Sequence, residues 1–442
     1  MLFRQLVNED LGCASYLVGC EAAGEAVVVD PPLAIEELLE VAARHDVRIV
    51  RTIETHTHAD HVSGHGRLAL EHGIPVSIHP IAAVEYPHDP FADDDSFRVG
   101  NVSLRCLHTP GHRPEHCCVT VIDHTRADEP WLVLTGDSLF VGDTARPDLA
   151  VGGIEGATAL FASLRRLLEL SDGVEVYPGH VSGSLCGKGM SSKSSSTIGF
   201  ERRFNPMLAF SELAAFVAES AAVEAPKPPN LARIVATNHG PFEAAADPVC
   251  ETRSTPDEVQ LLDVRASERF LAGHSPGAVN VPLAGSAFAT KAGFALDLAN
   301  PVHLLVETTG QASRAASALF SVACAAVTGY TMVDGGPERL DDVSIDELEE
   351  LYDRGTRILD VRDGHERSPA LPRIESLPFS VVRTHGSFSP GEEVVTVCTT
   401  GARAAIAASM LRARGIAARP VVVGGIPDLA RRLEATAATV RP

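Results

Sequence analysis

Between about residues 15 and 140, short apolar runs alternate with polar loops. Ala26–Val29, Val47–Ile53, Val102–Leu107, Cys117–Ile122 and Trp131–Thr135 are short, apolar and bounded by turn-forming residues, so each predicts a strand. The spacing changes over Ile35–Arg44 and Ala157–Leu170, where apolar residues recur with a helical period. Strands that alternate with helices predict an α/β layered fold. The polar run Ser191–Thr197 predicts a loop, Pro226–Pro229 breaks the chain again, and Asp247–Pro256 has the composition of a linker.

Beyond that linker the pattern repeats itself. A strand over Gln260–Val264 opens one small α/β unit and a strand over Arg357–Val361 opens another. Leu262-Asp263-Val264-Arg265 returns as Leu359-Asp360-Val361-Arg362, about 97 residues later, and the strand, loop and helix near residues 303 to 320 return about 91 residues later. This spacing predicts a tandem repeat of one domain type. The expected domains are 1–246, 252–340 and 343–437.

Length agrees with that division, since 442 residues amount to about three domains of roughly 150 residues each. Lys plus Arg number 37 against 58 Asp plus Glu, a formal charge of −21. That balance argues against nucleic acid or an anionic membrane surface as partner, because phosphate binding needs clustered cations. With 45% hydrophobic and 21% charged residues, global disorder is excluded. No apolar run approaches the roughly 18 residues of a membrane span, and Met1–Asp10 meets acidic residues too early for a secretion signal. Nine cysteines, an odd number without a regular framework, fit a reducing compartment. The expectation is a soluble cytoplasmic protein.

Chemistry concentrates after the second of these strands, in Thr55-His56-Thr57-His58-Ala59-Asp60-His61. Three histidines and an aspartate on one strand-leaving loop gather imidazole nitrogens and a carboxylate at one point, the ligand set of borderline divalent metals. Thr109-Pro110-Gly111-His112, Thr135-Gly136-Asp137 and Tyr177-Pro178-Gly179-His180 each place another ligand-type residue at a predicted strand end, beside Gly or Pro where the backbone can turn sharply. One histidine at a strand end is ordinarily a hydrogen-bonding residue. Four such places in this order point to a metal. The order H-x-H-x-D-H, then His112, Asp137 and His180, resembles the metallo-β-lactamase superfamily over roughly residues 1 to 245. The resemblance implies an αββα sandwich with the metal at one rim, in a superfamily that holds both hydrolases and oxygenases.

The ligand types suffice for two metals, with His56, His58 and His112 on one side, Asp60, His61 and His180 on the other, and Asp137 between. A glyoxalase II-like zinc thioester hydrolase would use both metals to position a hydroxide. The local sequences instead resemble the persulfide dioxygenase branch. That resemblance implies one Fe(II) per chain on His56, His112 and Asp137, with His58, Asp60, His61 and His180 as a second-metal-type pocket. Two histidines and one carboxylate leave open positions on iron for substrate sulfur and O₂. Gly142–Asp148 and Glu201–Pro206 are similar to the substrate loops of that branch. By position, Arg146 and Arg202 match arginines that hold the carboxylates of a thiol tripeptide, a task for the planar guanidinium; local ion pairing is the alternative role. The tyrosine two residues past the last histidine, which helps bind glutathione in that branch, is Ser182 here, so the carrier thiol stays open. Cys186, six residues past His180, is either a group at the metal mouth or a structural thiol.

Phe270-Leu271-Ala272-Gly273-His274-Ser275-Pro276-Gly277-Ala278, after the Asp263-Val264-Arg265 strand, is similar to the rhodanese signature. Rhodaneses carry sulfane sulfur on a cysteine in a tight strand-to-helix loop, where backbone amides and a helix N-terminus stabilise the thiolate. The first unit has Glu307 at that position, and a carboxylate cannot carry sulfur, so this unit is expected to be inert. The second has Cys398-Thr399-Thr400-Gly401-Ala402-Arg403, a C-x-x-G-x-R loop with Cys398 as nucleophile and Arg403 to hold the loop and an anionic donor or acceptor. It lacks a clear G-H-x-P-G-A stretch and is a shortened or divergent copy.

The whole chain is similar to persulfide dioxygenase–rhodanese fusion proteins with two C-terminal rhodanese-like domains. The resemblance implies a sulfur dioxygenase that uses O₂ to oxidise a low-molecular-weight thiol persulfide, glutathione persulfide or similar, to sulfite plus thiol. It also implies transfer of sulfane sulfur at Cys398, linking sulfite, persulfide and thiosulfate in either direction. One site would make the other's acceptor at high effective concentration. A sulfur carrier or sensor with a purely structural metal is the reading from another class; the open ligand set argues against it, since structural sites are closed by four protein ligands. The oligomeric state is left open, a homo-oligomer included.

Overall fold

The computed structural model describes residues 1–181, 190–222, 227–244, 248–285, 287–324, 326–389 and 391–439. Met1–Val223, Leu231–Ala246 and Ser321–Ala323 form one compact unit; Glu224–Asn230, Asp247–Phe320 and Cys324–Pro442 form the other.

The first unit is built on two six-stranded sheets. One takes β1 (Leu2–Asn8), β2 (Cys13–Cys20), β3 (Glu25–Val29), β4 (Arg48–Ile53), β5 (Val76–Ile78) and β6 (Asp89–Pro90), in that spatial order. β1, β2 and β3 pair antiparallel, whereas β3 to β6 pair parallel. Parallel neighbours need crossovers, and α1 (Glu36–Arg44) and α2 (His65–His72) supply the first two. The chain continues through β7 (Ser96–Val99), β8 (Val102–His108), β9 (Cys117–Asp123), β10 (Leu132–Gly136), a hairpin of β11 (Leu139–Phe140) and β12 (Asp143–Thr144), then β13 (Glu175–Pro178) and β14 (Ser196–Thr197). The second sheet has the order β14-β13-β10-β9-β8-β7.

Burial follows the sequence pattern. The inner faces of both sheets share one core, in which Tyr16, Val18, Val27 and Val29 meet Leu104, Val119, Val121 and Leu134. The outer face of the first sheet is covered by Leu38 and Val41 of α1 and Leu68 of α2. That of the second is covered by Ala157, Leu160, Leu164 and Leu167 of α3 (Gly153–Leu167). Strands covered on both faces read as continuous apolar runs, as Val27-Val28-Val29 does. The layers are α/β/β/α, as expected. The polar stretch expected as a loop differs at its end, where Ser196 and Thr197 pair with Val176 and Glu175 as edge strand β14. Both residues are tied down: Ser196 Oγ donates to Glu201, and the Thr197 hydroxyl caps the helix Ile198–Phe204 by accepting the Phe200 N–H.

In the second unit, the parallel strands Val279–Asn280, Gln260–Asp263, Val302–Val306 and Val327–Met332 lie side by side in that order. Glu375–Ser376, Arg357–Asp360, Glu393–Val397 and Ala417–Pro420 form a second sheet with the same topology. The repeated Asp-Val-Arg explains itself here. Arg265 sits 2.7 Å from Asp263 and Arg362 2.8 Å from Asp360, each guanidinium buried and fixed in a fork on its own carboxylate. Each arginine also donates to carbonyls of the following loop, Arg265 to Gly273 and Arg362 to Glu366 and Pro369.

Candidate functional site

β4, β8, β10 and β13 end within a few residues of His56, His112, Asp137 and His180, so both sheets deliver ligand-type residues to one rim. His56, His112 and Asp137 are buried and offer ligand atoms within 4.8 Å of one another. Asp137 Oδ2 lies 4.0 Å from His56 Nε2 and 3.6 Å from His112 Nε2. Among the described residues, His56 Nε2 and Asp137 Oδ2 are buried without a hydrogen-bond partner. A buried polar atom without a partner costs about 1–3 kcal/mol, which a cation between these atoms would offset.

The opposite edges of the rings fix their tautomers. His56 Nδ1 is 2.9 Å from the Thr55 hydroxyl, which itself donates to Asp30 at 2.8 Å. His112 Nδ1 donates to the Arg146 carbonyl at 3.2 Å. Each Nδ1 therefore carries the proton and each Nε2 presents a lone pair towards Asp137. Burial, reinforced at His56 by His58, pushes both histidines below their ordinary range, so the rings are neutral. Two neutral imidazoles and one carboxylate fit Fe(II) with positions left open.

Asp137 is held from behind. Its Oδ1 accepts from His180 Nδ1 at 2.7 Å, and the far side of that ring, Nε2, lies 2.6 Å from Asp60. Asp60 in turn accepts from His61 at 3.1 Å. Burial would lower the His180 pKa, but Asp137 and Asp60 lift it to about 10. The approach leaves no room for a side chain: a Cβ on Gly179 would stand 2.7 Å from Asp137 Oδ1.

His58 belongs elsewhere. Its Nε2 lies 3.3 Å from Asp30 and 3.2 Å from Glu54, and these carboxylates outweigh its burial and raise its pKa. It shares one group of candidate ligands with Asp60 and His61 and another with Asp30 and Glu54. Asp30, Glu54 and the buried His116 escaped the sequence reading. Each carried a signal: Asp30 follows the apolar run Ala26–Val29, Glu54 precedes the histidine motif, and His116 lies four residues past His112.

Of the expected substrate residues, Arg146 lies at the centre through its carbonyl, while its guanidinium forks onto Asp148 at 2.7 and 2.9 Å. Arg202 pairs with Asp172 and donates to the carbonyls of Leu168 and Leu170. Local ion pairing is what both side chains do here. Cys186 lies outside the described residues.

In the second unit, Cys398 ends its strand and is 1% exposed. Gly401, at φ +97°, turns its N–H onto Cys398 Sγ at 3.1 Å, and a Cβ there would meet the Val422 carbonyl at 2.1 Å. The buried helix Ala402–Ala413 starts immediately afterwards. Arg403, expected to hold the Cys398 loop and an anionic donor or acceptor, pairs with Asp363 at 3.1 Å and with Glu366, so its charge is balanced by the domain's own carboxylates. At the matching place in the first copy, Glu307 pairs with Arg269 at 3.0 Å, and the helix Thr309–Phe320 starts without an equivalent loop.

Comparison with known proteins agrees with this geometry. The metallo-beta-lactamase superfamily matches residues 8–180 and the rhodanese-like domain family residues 250–339. A crystal structure of a metallo-beta-lactamase from Staphylococcus aureus is similar with a TM-score of 0.70 and 28% identity, covering 75% of this chain and 98% of that one. The mitochondrial persulfide dioxygenase ETHE1 of Bos taurus is 29% identical over 215 residues, 48% of this chain and 77% of that protein. A hydroxyacylglutathione hydrolase of Polaromonas is 34% identical over 173 residues, 38% of this chain and 61% of that protein. No helix among the described residues is long and apolar enough to cross a membrane. Residues 8–180 belong to the metallo-β-lactamase superfamily and residues 250–339 to the rhodanese-like domain family, so the chain joins one domain of each.

Proposed function

We propose that residues 1–246 form a non-haem Fe(II) persulfide dioxygenase and that 252–340 and 343–437 are an inert and an active rhodanese-like domain. The observation that carries this reading is that His56 Nε2 and Asp137 Oδ2, buried without a partner among the described residues, converge with His112 Nε2, while Asp137 Oδ1 is already bound to His180. Iron held there would bring a persulfide sulfur and O₂ together, so that persulfide, O₂ and water give thiol and sulfite. The chain's own part is to present two neutral imidazoles and one oriented carboxylate. Thr55 and the Arg146 carbonyl fix the rings, and His180 fixes the carboxylate.

Sulfur transfer would run through Cys398. The Gly401 N–H on Sγ and the N-terminus of the helix Ala402–Ala413 would stabilise negative charge on its sulfur, which attacks the outer sulfur of a thiol persulfide; the donor's S–S bond breaks, a cysteine persulfide forms and the carrier leaves as its thiolate. Sulfite then takes that sulfur and leaves as thiosulfate, returning the thiolate. Cys186 is proposed to assist persulfide turnover, and Cys186→Ser should slow it without removing iron.

Likeness to a hydroxyacylglutathione hydrolase supports one rival, a dinuclear zinc thioester hydrolase with accessory sulfur-carrier domains. Metal analysis of anaerobically purified protein separates the two. About one iron per chain, with O₂ uptake that depends on persulfide, is the expected result. Two zincs per chain, with thioester hydrolysis and no O₂ uptake, would overturn the proposal.

A further inference from the structure

We infer that His116 is a positioning residue that sets the backbone of the iron ligand Asp137, an inference that rests on the metal reading above. His116 is completely buried. Its Nε2 accepts the Asp137 N–H at 3.0 Å. Its Nδ1 stands 3.1 Å from the Thr109 carbonyl and 2.9 Å from the Thr109 hydroxyl. A backbone N–H can only donate and a carbonyl can only accept, so the ring is bound as the single neutral tautomer with its proton on Nδ1.

The ring thereby ties together two ligand-bearing loops. Thr109 leads into His112, and Asp137 leaves β10. The His116 ring centre lies 5.2 Å from that of His56 and 6.4 Å from that of His112, so it fills the space behind the ligands without joining them. Gly136 makes the approach feasible: at φ +45° its missing Cβ would stand 2.7 Å from His116 Nε2. Asp137 is then fixed at two points, its backbone by His116 and its Oδ1 by His180, and only Oδ2 is left for iron. Groups that orient a metal ligand in this way typically govern affinity by 10–100-fold.

The test compares His116→Leu, which keeps the bulk and removes both hydrogen bonds, with His116→Gln, whose amide oxygen can still accept the Asp137 N–H. Fe(II) affinity is measured by anaerobic competition with a chelator, and ligand geometry by the visible bands of the Co(II)-substituted protein. Leucine should weaken iron binding about 10–100-fold and shift the cobalt bands, and glutamine should restore most of both. Wild-type affinity and unshifted bands in the leucine variant overturn the inference, and so does an equal loss in both variants, which marks a packing role. If the leucine protein does not fold, His116→Asn takes its place, since the shorter amide reaches Thr109 but not Asp137; wild-type affinity there is equally fatal. His112→Ala serves as control: iron retained by that variant overturns the metal reading itself, whereas iron lost there but unaffected by His116→Leu overturns only the role of His116.

Discussion

His180 sits between two buried carboxylates, and replacing it by leucine should expose how much of the rim's stability it carries. In the metal-free protein the imidazolium lies 2.7 Å from Asp137 and 2.6 Å from Asp60. Removing it leaves two buried negative charges without their shared partner, a change worth about 3–5 kcal/mol. The lift of its pKa from 6.5 to about 10 corresponds to roughly 5 kcal/mol in favour of the charged ring, in agreement. For a unit of this size, roughly 2–4 °C per kcal/mol puts the drop in Tm at about 10 °C. The assay is calorimetry on chelator-treated and iron-loaded protein. A pKa raised in the folded state stabilises fully below the unfolded value of about 6.5 and ceases to do so as pH rises through about 10. The Tm gap between wild type and His180→Leu should therefore be full just below pH 6.5 and close towards pH 10. Iron should narrow it too, because a cation beside Asp137 replaces part of what the ring supplied. Equal melting of the two metal-free proteins at pH 7, or a gap that grows with pH, would refute the reasoning.

Cys398→Ser should abolish sulfur exchange between thiosulfate and thiols while persulfide-dependent O₂ uptake persists. The oxidation product should move from thiosulfate towards sulfite, read at early times against an enzyme-free control. Gly179→Ala forces a methyl to within 2.7 Å of Asp137 Oδ1 and should lower iron content measured by metal analysis, with the fold monitored by circular dichroism. Asp360→Ala strands the buried Arg362 and should destabilise the second unit by about 3–5 kcal/mol, seen as a lower denaturant midpoint. Asp263→Ala should do the same through Arg265, although the two copies differ at the nucleophile position.

The layers and the ligand-type residues at the strand ends were legible because they rest on local signals. A strand covered on both faces must be apolar throughout, and ligands at strand ends need glycine or proline beside them, so Val27–Val29, His112 and His180 mark themselves. What the sequence hid is how shared atoms are divided. Nothing in H-x-H-x-D-H says that His58 turns to Asp30 and Glu54, or that His180 takes one oxygen of Asp137 and leaves the other. Local pairing was an open alternative for Arg146 and Arg202, but the partners of these two and of Arg403 were not legible, because Asp148, Asp172 and Asp363 are ordinary surface-type residues until the fold brings them close.

In the first rhodanese-like domain, the loop at Glu307 is closed by one of its own side chains. Gln311 stands where the second copy has Ala402, and its side-chain oxygen accepts the N–H groups of Glu307 at 2.7 Å and Thr308 at 3.3 Å. Backbone amides that would face a sulfur anion are thus answered by the chain itself. Restoring the nucleophile through Glu307→Cys alone would place a thiol at a socket already plugged. A sulfur-carrying site here would also require Gln311→Ala and a helix Thr309–Phe320 that starts later, so Glu307→Cys alone should give no sulfur transfer in this domain.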